Sequence, residues 1–277
     1  MDAKKGNTTS GIYPAMPAEE YHAIDALSAS GAKDLLRSPA HWLARRETPM
    51  KPSPAMAFGT LVHALILEPD RVHHLYAVAE KFDRRTTAGK LAFANFEAAN
   101  AGKTIVELYD FQRAQRVRDS VMAHKVAAAL LSTGGATELS LRWDMTSAVP
   151  RKARLDYYFE GRIVDLKTAR DASPAGFARA VAQYQYHVQV AHYLAGIEAT
   201  HGWEPDDFTF IAVEPESPFS VGVYQIDGPS IAAGKRLLDL AAAAYLTAHA
   251  SGAWLGYERE IVTLGLPAWA LGREDGE

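Results

Sequence analysis

Arg154-Leu155-Asp156-Tyr157-Tyr158-Phe159-Glu160-Gly161-Arg162-Ile163-Val164-Asp165-Leu166-Lys167-Thr168 is the stretch whose reading decides the fold. Ala153 to Tyr157 alternates polar and apolar residues, as a half-buried strand does. Arg162 to Lys167 is short, rich in branched residues and bounded by Gly161, and reads as a second strand. Asp165 and Lys167 stand two apart, so a period of 2 aims both side chains at one face of the sheet. A hairpin at Gly161 would bring Asp156 beside Asp165.

Outward from this hairpin the pattern stays mixed. Glu138 to Trp143 alternates and predicts a preceding strand, which makes a three-strand meander. Downstream, Ser173 as cap and Pro174 at the first position open a long helix read to about Thr200. Strands are expected at Phe208 to Val213 and Val221 to Ile226, and a closing helix at Ile231 to Ala250. Upstream the chain reads as helical. A short helix spans Ser30 to Arg37, capped by Ser28 or Ser30 and broken by Pro39. A Pro-rich connector covers residues 47–54, a helix spans Met56 to Glu68, and more helix lies within 86–130, capped at Thr86 or Thr87. Gly59 inside a helix costs up to ~1 kcal/mol relative to Ala, which points to the close approach of another backbone. The fold class is therefore α/β: a mixed central β-sheet flanked by helices, with a helical N-terminal part. Residues 1–27 read as a loose arm. Residues 28–277 read as a single domain, with a helical part at 28–131 and a sheet core at 137–251.

The 277 residues are 48% hydrophobic and 22% charged, enough for one well-packed large domain. With 29 Lys+Arg against 33 Asp+Glu the net charge is −4, which excludes a surface that coats nucleic acid or anionic membrane by bulk charge. Locally the balance differs. Arg142, Arg151, Lys152, Arg154, Arg162, Lys167 and Arg170 face Asp144, Asp156, Glu160 and Asp165, a surplus of three cations within 142–170. These read as a basic channel, to which Arg84 and Arg85 add, or as scattered solvated charges. The chain has no cysteine, so disulfides, thiolate catalysis and Cys-ligated zinc or iron–sulphur sites are excluded together. No apolar run approaches the ~20 residues of a membrane span, and the first residues carry no signal-like segment. The expected location is the cytoplasm.

Two carboxylates and a lysine on one sheet face are costly to bury without tight pairing or a metal ion, and hard oxygen ligands favour Mg²⁺ or Mn²⁺. A lone Asp-x-Lys is as readily a surface ion pair, but Ile163 and Val164 place Asp165 in a strand that reads as central. His63 lies among apolar neighbours, where a histidine is ordinarily a hydrogen-bonded core residue; the functional alternative is an imidazole metal ligand. Gln189 and Tyr193 are four apart on one helix face, which Gln185 extends. Read alone, that face is as readily solvated as functional. Glu138 is either a further acidic group near the metals or a strand-edge residue. His73-His74 and His187/His192 lack the spacing of a zinc hydrolase.

Taken in order, Gly59-x-x-x-His63, Asp156, Asp165-Leu166-Lys167 and Gln189-x-x-x-Tyr193 resemble the PD-(D/E)xK nuclease superfamily, RecB-type. The likeness is closest to the exonuclease VIII (RecE) nuclease domains and their phage relatives. Ser28-Ala29-Ser30-Gly31, Ser38-Pro39-Ala40-His41, Phe82 to Thr86 and Trp254-x-Gly256-Tyr257 carry it through most of the chain. The superfamily's name motif has Pro where this chain has Leu155. The resemblance implies a restriction-endonuclease-like fold and one or two Mg²⁺ or Mn²⁺ ions on His63, Asp156, Asp165 and the Leu166 carbonyl. Lys167 would position or deprotonate the attacking water, with Gln189 and Tyr193 lining the site. It further implies an exodeoxyribonuclease that digests linear duplex DNA 5′ to 3′ and leaves 3′ single-stranded tails. Its partners would be DNA ends and a single-strand annealing recombinase, and it would form a ring-shaped homo-oligomer with no membrane attachment. A PD-(D/E)xK endonuclease and a non-catalytic DNA-binding relative are the alternatives.

Overall fold

Many of the helix starts follow from a residue that can satisfy exposed N–H groups. The computed structural model describes residues 9–48, 50–144, 149–203, 205, 207–258 and 260–266. In chain order the elements are β1 (Gly11–Tyr13), α1 (Ala18–Ala23), α2 (Ala29–Arg37), α3 (Pro39–Glu47), α4 (Pro54–Leu67), α5 (Val72–Leu75) and β2 (Tyr76–Ala79). Then come α6 (Thr87–Ala99), β3 (Thr104–Glu107), α7 (Leu108–Ala123), α8 (Lys125–Leu131), β4 (Ala136–Asp144), β5 (Pro150–Phe159) and β6 (Arg162–Thr168). The chain continues through α9 (Pro174–Gln183), α10 (Tyr186–His201), β7 (Asp207–Val213), β8 (Val221–Gln225) and α11 (Gly228–Ser251). Ser28, Ser38, Ser53, Thr86, Ser173 and Asp227 each accept a backbone N–H from the first turn of the helix they precede. Pro39, which reads as a breaker, instead opens α3 at its first position behind the Ser38 cap.

Six strands form one mixed sheet in the order β1-β4-β5-β6-β7-β8, antiparallel except for the parallel pair β6–β7. A separate parallel pair, β2–β3, was not foreseen from sequence. On one face, Leu61, Val62 and Leu65 of α4 and Val117 and Val121 of α7 pack on Tyr157, Val164, Leu166, Ile211 and Val213. On the other, Val190 and Ile197 of α10 pack on Leu139, Leu141, Trp143, Leu155, Ile163 and Phe210. Beyond α10, α2 and α11 close a third cluster around Leu35, Val188 and Leu238. Each such fully buried side chain contributes roughly 1.5–3 kcal/mol. Among the described residues no helix is long and apolar enough to cross a membrane.

Three readings need correction. Residues 9–27 are not loose: β1 pairs with β4, Leu27 bridges Arg151, and Tyr21, Ile24 and Leu27 are buried. The segment is held by β5, whose Lys152 ammonium donates to the carbonyls of Tyr21, His22 and Ile24 at 2.8–3.2 Å. A cation there also complements the C-terminal end of α1. The helix expected over 173–200 is two helices, because Gln185 adopts a left-handed backbone (φ 51°) between α9 and α10. Gln185 therefore does not extend the Gln189 face. Finally, the close approach at Gly59 is by the hydroxyl of Thr168, 3.3 Å from where a Cβ would stand, not by backbone.

Candidate active site

The site forms where the sheet loses its regularity. Leu155 packs on the α10 side and Tyr157 on the α4 side, so the alternation of β5 breaks at Asp156. In β4 the break falls at Glu138, whose backbone is left-handed (φ 51°), and the ladder to β5 skips from Thr137↔Tyr157 to Leu139↔Leu155. A non-glycine residue held this way costs on the order of 1–3 kcal/mol and persists where the surroundings dictate it. The β5–β6 ladder runs only from Phe159↔Arg162 to Tyr157↔Val164. One residue further the strands part, and the Asp156 carboxylate takes the Leu166 N–H at 2.8 Å in place of a backbone carbonyl. By register, Glu138, Asp156 and Asp165 thus occupy one row across three adjacent strands.

His63 approaches this row from α4. Its Nε2 lies 2.9 Å from the Leu166 carbonyl, so Nε2 carries the proton and Nδ1 presents a lone pair. That Nδ1 lies 3.6 Å from Asp156 Oδ2. Ligand atoms of His63, Glu138 and Asp156 all fall within 4.8 Å of one another. Burial, and then the charge of Asp165, push the Asp156 carboxyl up. Burial and Asp156 push Glu138 up despite its ion pair with Arg154. Burial and Lys167 push His63 down. A neutral imidazole facing crowded carboxylates lacks only a cation, and one imidazole nitrogen with hard oxygens fits Mg²⁺ or Mn²⁺. The residues therefore fit the metal that such a fold implies.

Asp165 is placed differently. It is 1% exposed, accepts from the Gln189 amide at 2.7 Å, and binds the Lys167 ammonium with its other oxygen. Burial opposes the charge on Lys167, but Asp165 and Asp156 outweigh it and hold its pKa above the usual value. Tyr193, one turn beyond Gln189, is pushed well up by burial and by Asp165, so its hydroxyl keeps its proton. All the residues singled out from sequence, His63, Asp156, Asp165, Leu166, Lys167, Gln189 and Tyr193, therefore meet in one place. Glu138 joins them. The sequence left it open between a further acidic group and a strand-edge residue, and the strand register aligns it with Asp156.

The site opens into a cleft of about 1740 Å³. Its walls include the start of α4, Lys167 to Asp171, Arg113, Arg179 and the pair Tyr184 and Tyr186. The basic channel read from 142–170 is mostly consumed by the fold. Arg151 and Lys152 are buried, Arg142 pairs with Asp144, Arg154 with Glu138 and Arg162 with Asp207. Arg85 pairs with Asp83, and Arg84 lies over the Phe93 ring. Of the counted stretch, Lys167 and Arg170 face the cleft. The zinc-hydrolase alternative also fails on position, since His192 is fully buried against the Lys152 carbonyl.

Comparison with solved structures finds a candidate exonuclease from Eubacterium rectale at TM-score 0.61 and 13% identity, covering 94% of this chain and 98% of that one. At that identity the likeness establishes the fold. A looser match, TM-score 0.26 and 11% identity over 69% of this chain and 92% of that one, is to LHK-Exo in complex with dAMP and bears no weight. No curated protein matches the sequence. Residues 28–250 match the family described as a PDDEXK-like domain of unknown function (DUF3799), and the chain belongs to that family.

Proposed function

We propose that this protein is a metal-dependent nuclease that hydrolyses DNA phosphodiester bonds. The observation that carries the reading is the Asp165–Lys167 pair, locked by Gln189, with Asp165 in one register row with Asp156 and Glu138 and with His63 approaching that row from α4. His63, Asp156, Asp165 and the Leu166 carbonyl, with Glu138 beside them, would hold one or two Mg²⁺ or Mn²⁺ ions. When bound, the divalent ion lowers the pKa of water and neutralises charge on the phosphate. Lys167 orients the attacking water and offers its ammonium to the phosphate oxygens, which requires Asp165 to fix it in place. Gln189 holds Asp165, and Tyr193 stays protonated beside them. An intact Asp156, Asp165 and Lys167 set favours catalysis over a purely DNA-binding relative.

The finer reading is an end-dependent exodeoxyribonuclease in the cytoplasm of a bacterial or phage-infected cell. It would run 5′ to 3′ as a ring-shaped homo-oligomer and leave 3′ tails for a single-strand annealing recombinase in DNA recombination. It rests on the resemblance of the motifs to the exonuclease VIII group. One assay tests both levels: linear duplex and covalently closed circular DNA, with Mg²⁺ or Mn²⁺, wild type against Lys167→Ala and Asp165→Ala. The expected result is loss of linear DNA, intact circles, and a fall of at least ~100-fold in both variants. Linear DNA left intact by the wild type would sink the nuclease reading, and cut circles would favour the endonuclease.

A further inference from the structure

One cation beside the acidic row has no task in the scheme above. Lys33 projects from α2, which packs on α10 and α11. It is half-buried, with its Nζ 5.3 Å from the centroid of the Tyr186 ring. The Lys167 Nζ lies 5.1 Å from the same centroid. Lys167 is held by Asp165, whereas among the described residues no carboxylate or hydrogen-bond acceptor holds the Lys33 ammonium.

Stability alone does not account for this arrangement. A cation over an aromatic face gains about 0.5–1 kcal/mol, or roughly 2 when desolvated. Against that stand the cost of withdrawing an ammonium from water and its repulsion from Lys167. Burial and Lys167 pull the Lys33 pKa down to about 8, against the attraction of Asp165 and Asp34, neither of which holds it in an ion pair. An apolar side chain would cover Tyr186 without either penalty. Asp165 and Asp34 offset part of these penalties, and an anion meeting the two ammonium groups together would offset the rest. Tyr186 and Lys167 line the cleft, so such an anion has a way in. The two Nζ atoms are no more than about 10 Å apart, by their distances to the shared ring. A DNA strand carries a phosphate every ~3.4 Å of rise, so neighbouring phosphates can reach both.

We propose that Lys33 is a phosphate-binding residue of the active site, gripping a DNA backbone phosphate next to the one that Lys167 serves across Tyr186. The inference rests on the nuclease reading and adds a substrate contact to it. The test uses the full chain. Binding of a short duplex is measured in EDTA, which stops turnover, at several salt concentrations, alongside kcat and KM with Mg²⁺. Wild type is compared with Lys33→Met, Lys33→Gln and Lys33→Arg. The expected result is a five- to tenfold weaker affinity for Met and Gln, on the order of one neutralised phosphate. The salt slope should fall by about 0.9, KM should rise more than kcat falls, and Arg should restore both. A structural role would move the melting temperature and leave the salt slope alone. A wild type that cleaves DNA, with Met and Gln variants that keep its salt slope and KM, overturns the assignment of Lys33 alone. A wild type that neither binds nor cleaves DNA overturns the nuclease reading and this inference together.

Discussion

At the scale of single residues, charge and burial set the behaviour of the site. Asp156 and Glu138 are carboxylates crowded at a break in the sheet, and burial pushes both pKa values up. Asp156→Asn keeps an oxygen for the Leu166 N–H and removes one of the crowded charges. The metal-free protein should therefore melt higher after this substitution, while the rise in melting temperature that Mn²⁺ gives the wild type should disappear. At 100 times the dissociation constant that rise corresponds to about 2.7 kcal/mol, and thermal scans with and without Mn²⁺ check both outcomes. His192 offers a second prediction, away from the site. It is fully buried, donates to the Lys152 carbonyl, and burial lowers its pKa from 6.5 to about 3. In the unfolded chain it takes up a proton near pH 6.5, whereas in the fold it stays neutral until about pH 3. Its contribution to stability is therefore complete above pH 6.5 and drains by about 1.4 kcal/mol per unit below it. Urea unfolding at pH 7 and pH 5 should show the wild type losing about 2 kcal/mol more than His192→Gln over that interval. Equal losses would show that the imidazole protonates within the fold.

Elements were legible where local chemistry decides them and opaque where neighbours do. Ser173-Pro174 opens α9 as its sequence says, and Asp165-Leu166-Lys167 lies on a central strand as its branched neighbours say. The kink at Gln185 carries neither Gly nor Pro, so no local signal announces it. Glu138 could be read as a strand residue, yet its partnership with Asp156 depends on a register that only the paired strands reveal. The count of cations in 142–170 was right, but composition cannot tell that Lys152 and Arg154 face the chain's own carbonyls. Helix packing is similarly hidden. Gly234 of α11 reads as a weak point in an Ala-rich helix, where Ala would gain up to ~1 kcal/mol in propensity. In the fold, a Cβ there would stand 2.2 Å from the His187 carbonyl of α10. Gly234→Ala should thus destabilise by about 2 kcal/mol, because the overlap with backbone outweighs the propensity gain. Gly228→Ala, whose Cβ meets nothing within 4 Å, should be close to neutral. Chemical denaturation of the two variants distinguishes the cases.

The whole molecule places the candidate site where the central sheet, among the described residues, is least continuous. Strands β4 and β5 remain paired on both sides of Glu138 and Asp156, and β6–β7 stays paired throughout. Only β5 and β6 part, which frees Asp156 and Leu166 for the site. The same sheet depends at its far border on a short N-terminal segment. β1 covers β4, Lys152 caps α1, and Arg154 donates to the Met16 carbonyl at 3.1 Å. The family match begins at residue 28, which makes Ser28 a tempting place to start a recombinant version. Such a shortened chain would keep every proposed catalytic residue but strip the cover from the edge of a nine-residue strand. An uncovered edge of that kind recruits strands from other molecules. Its practical signature would be insolubility: most of the shortened protein in the pellet after lysis, and the remainder at the void volume of a sizing column.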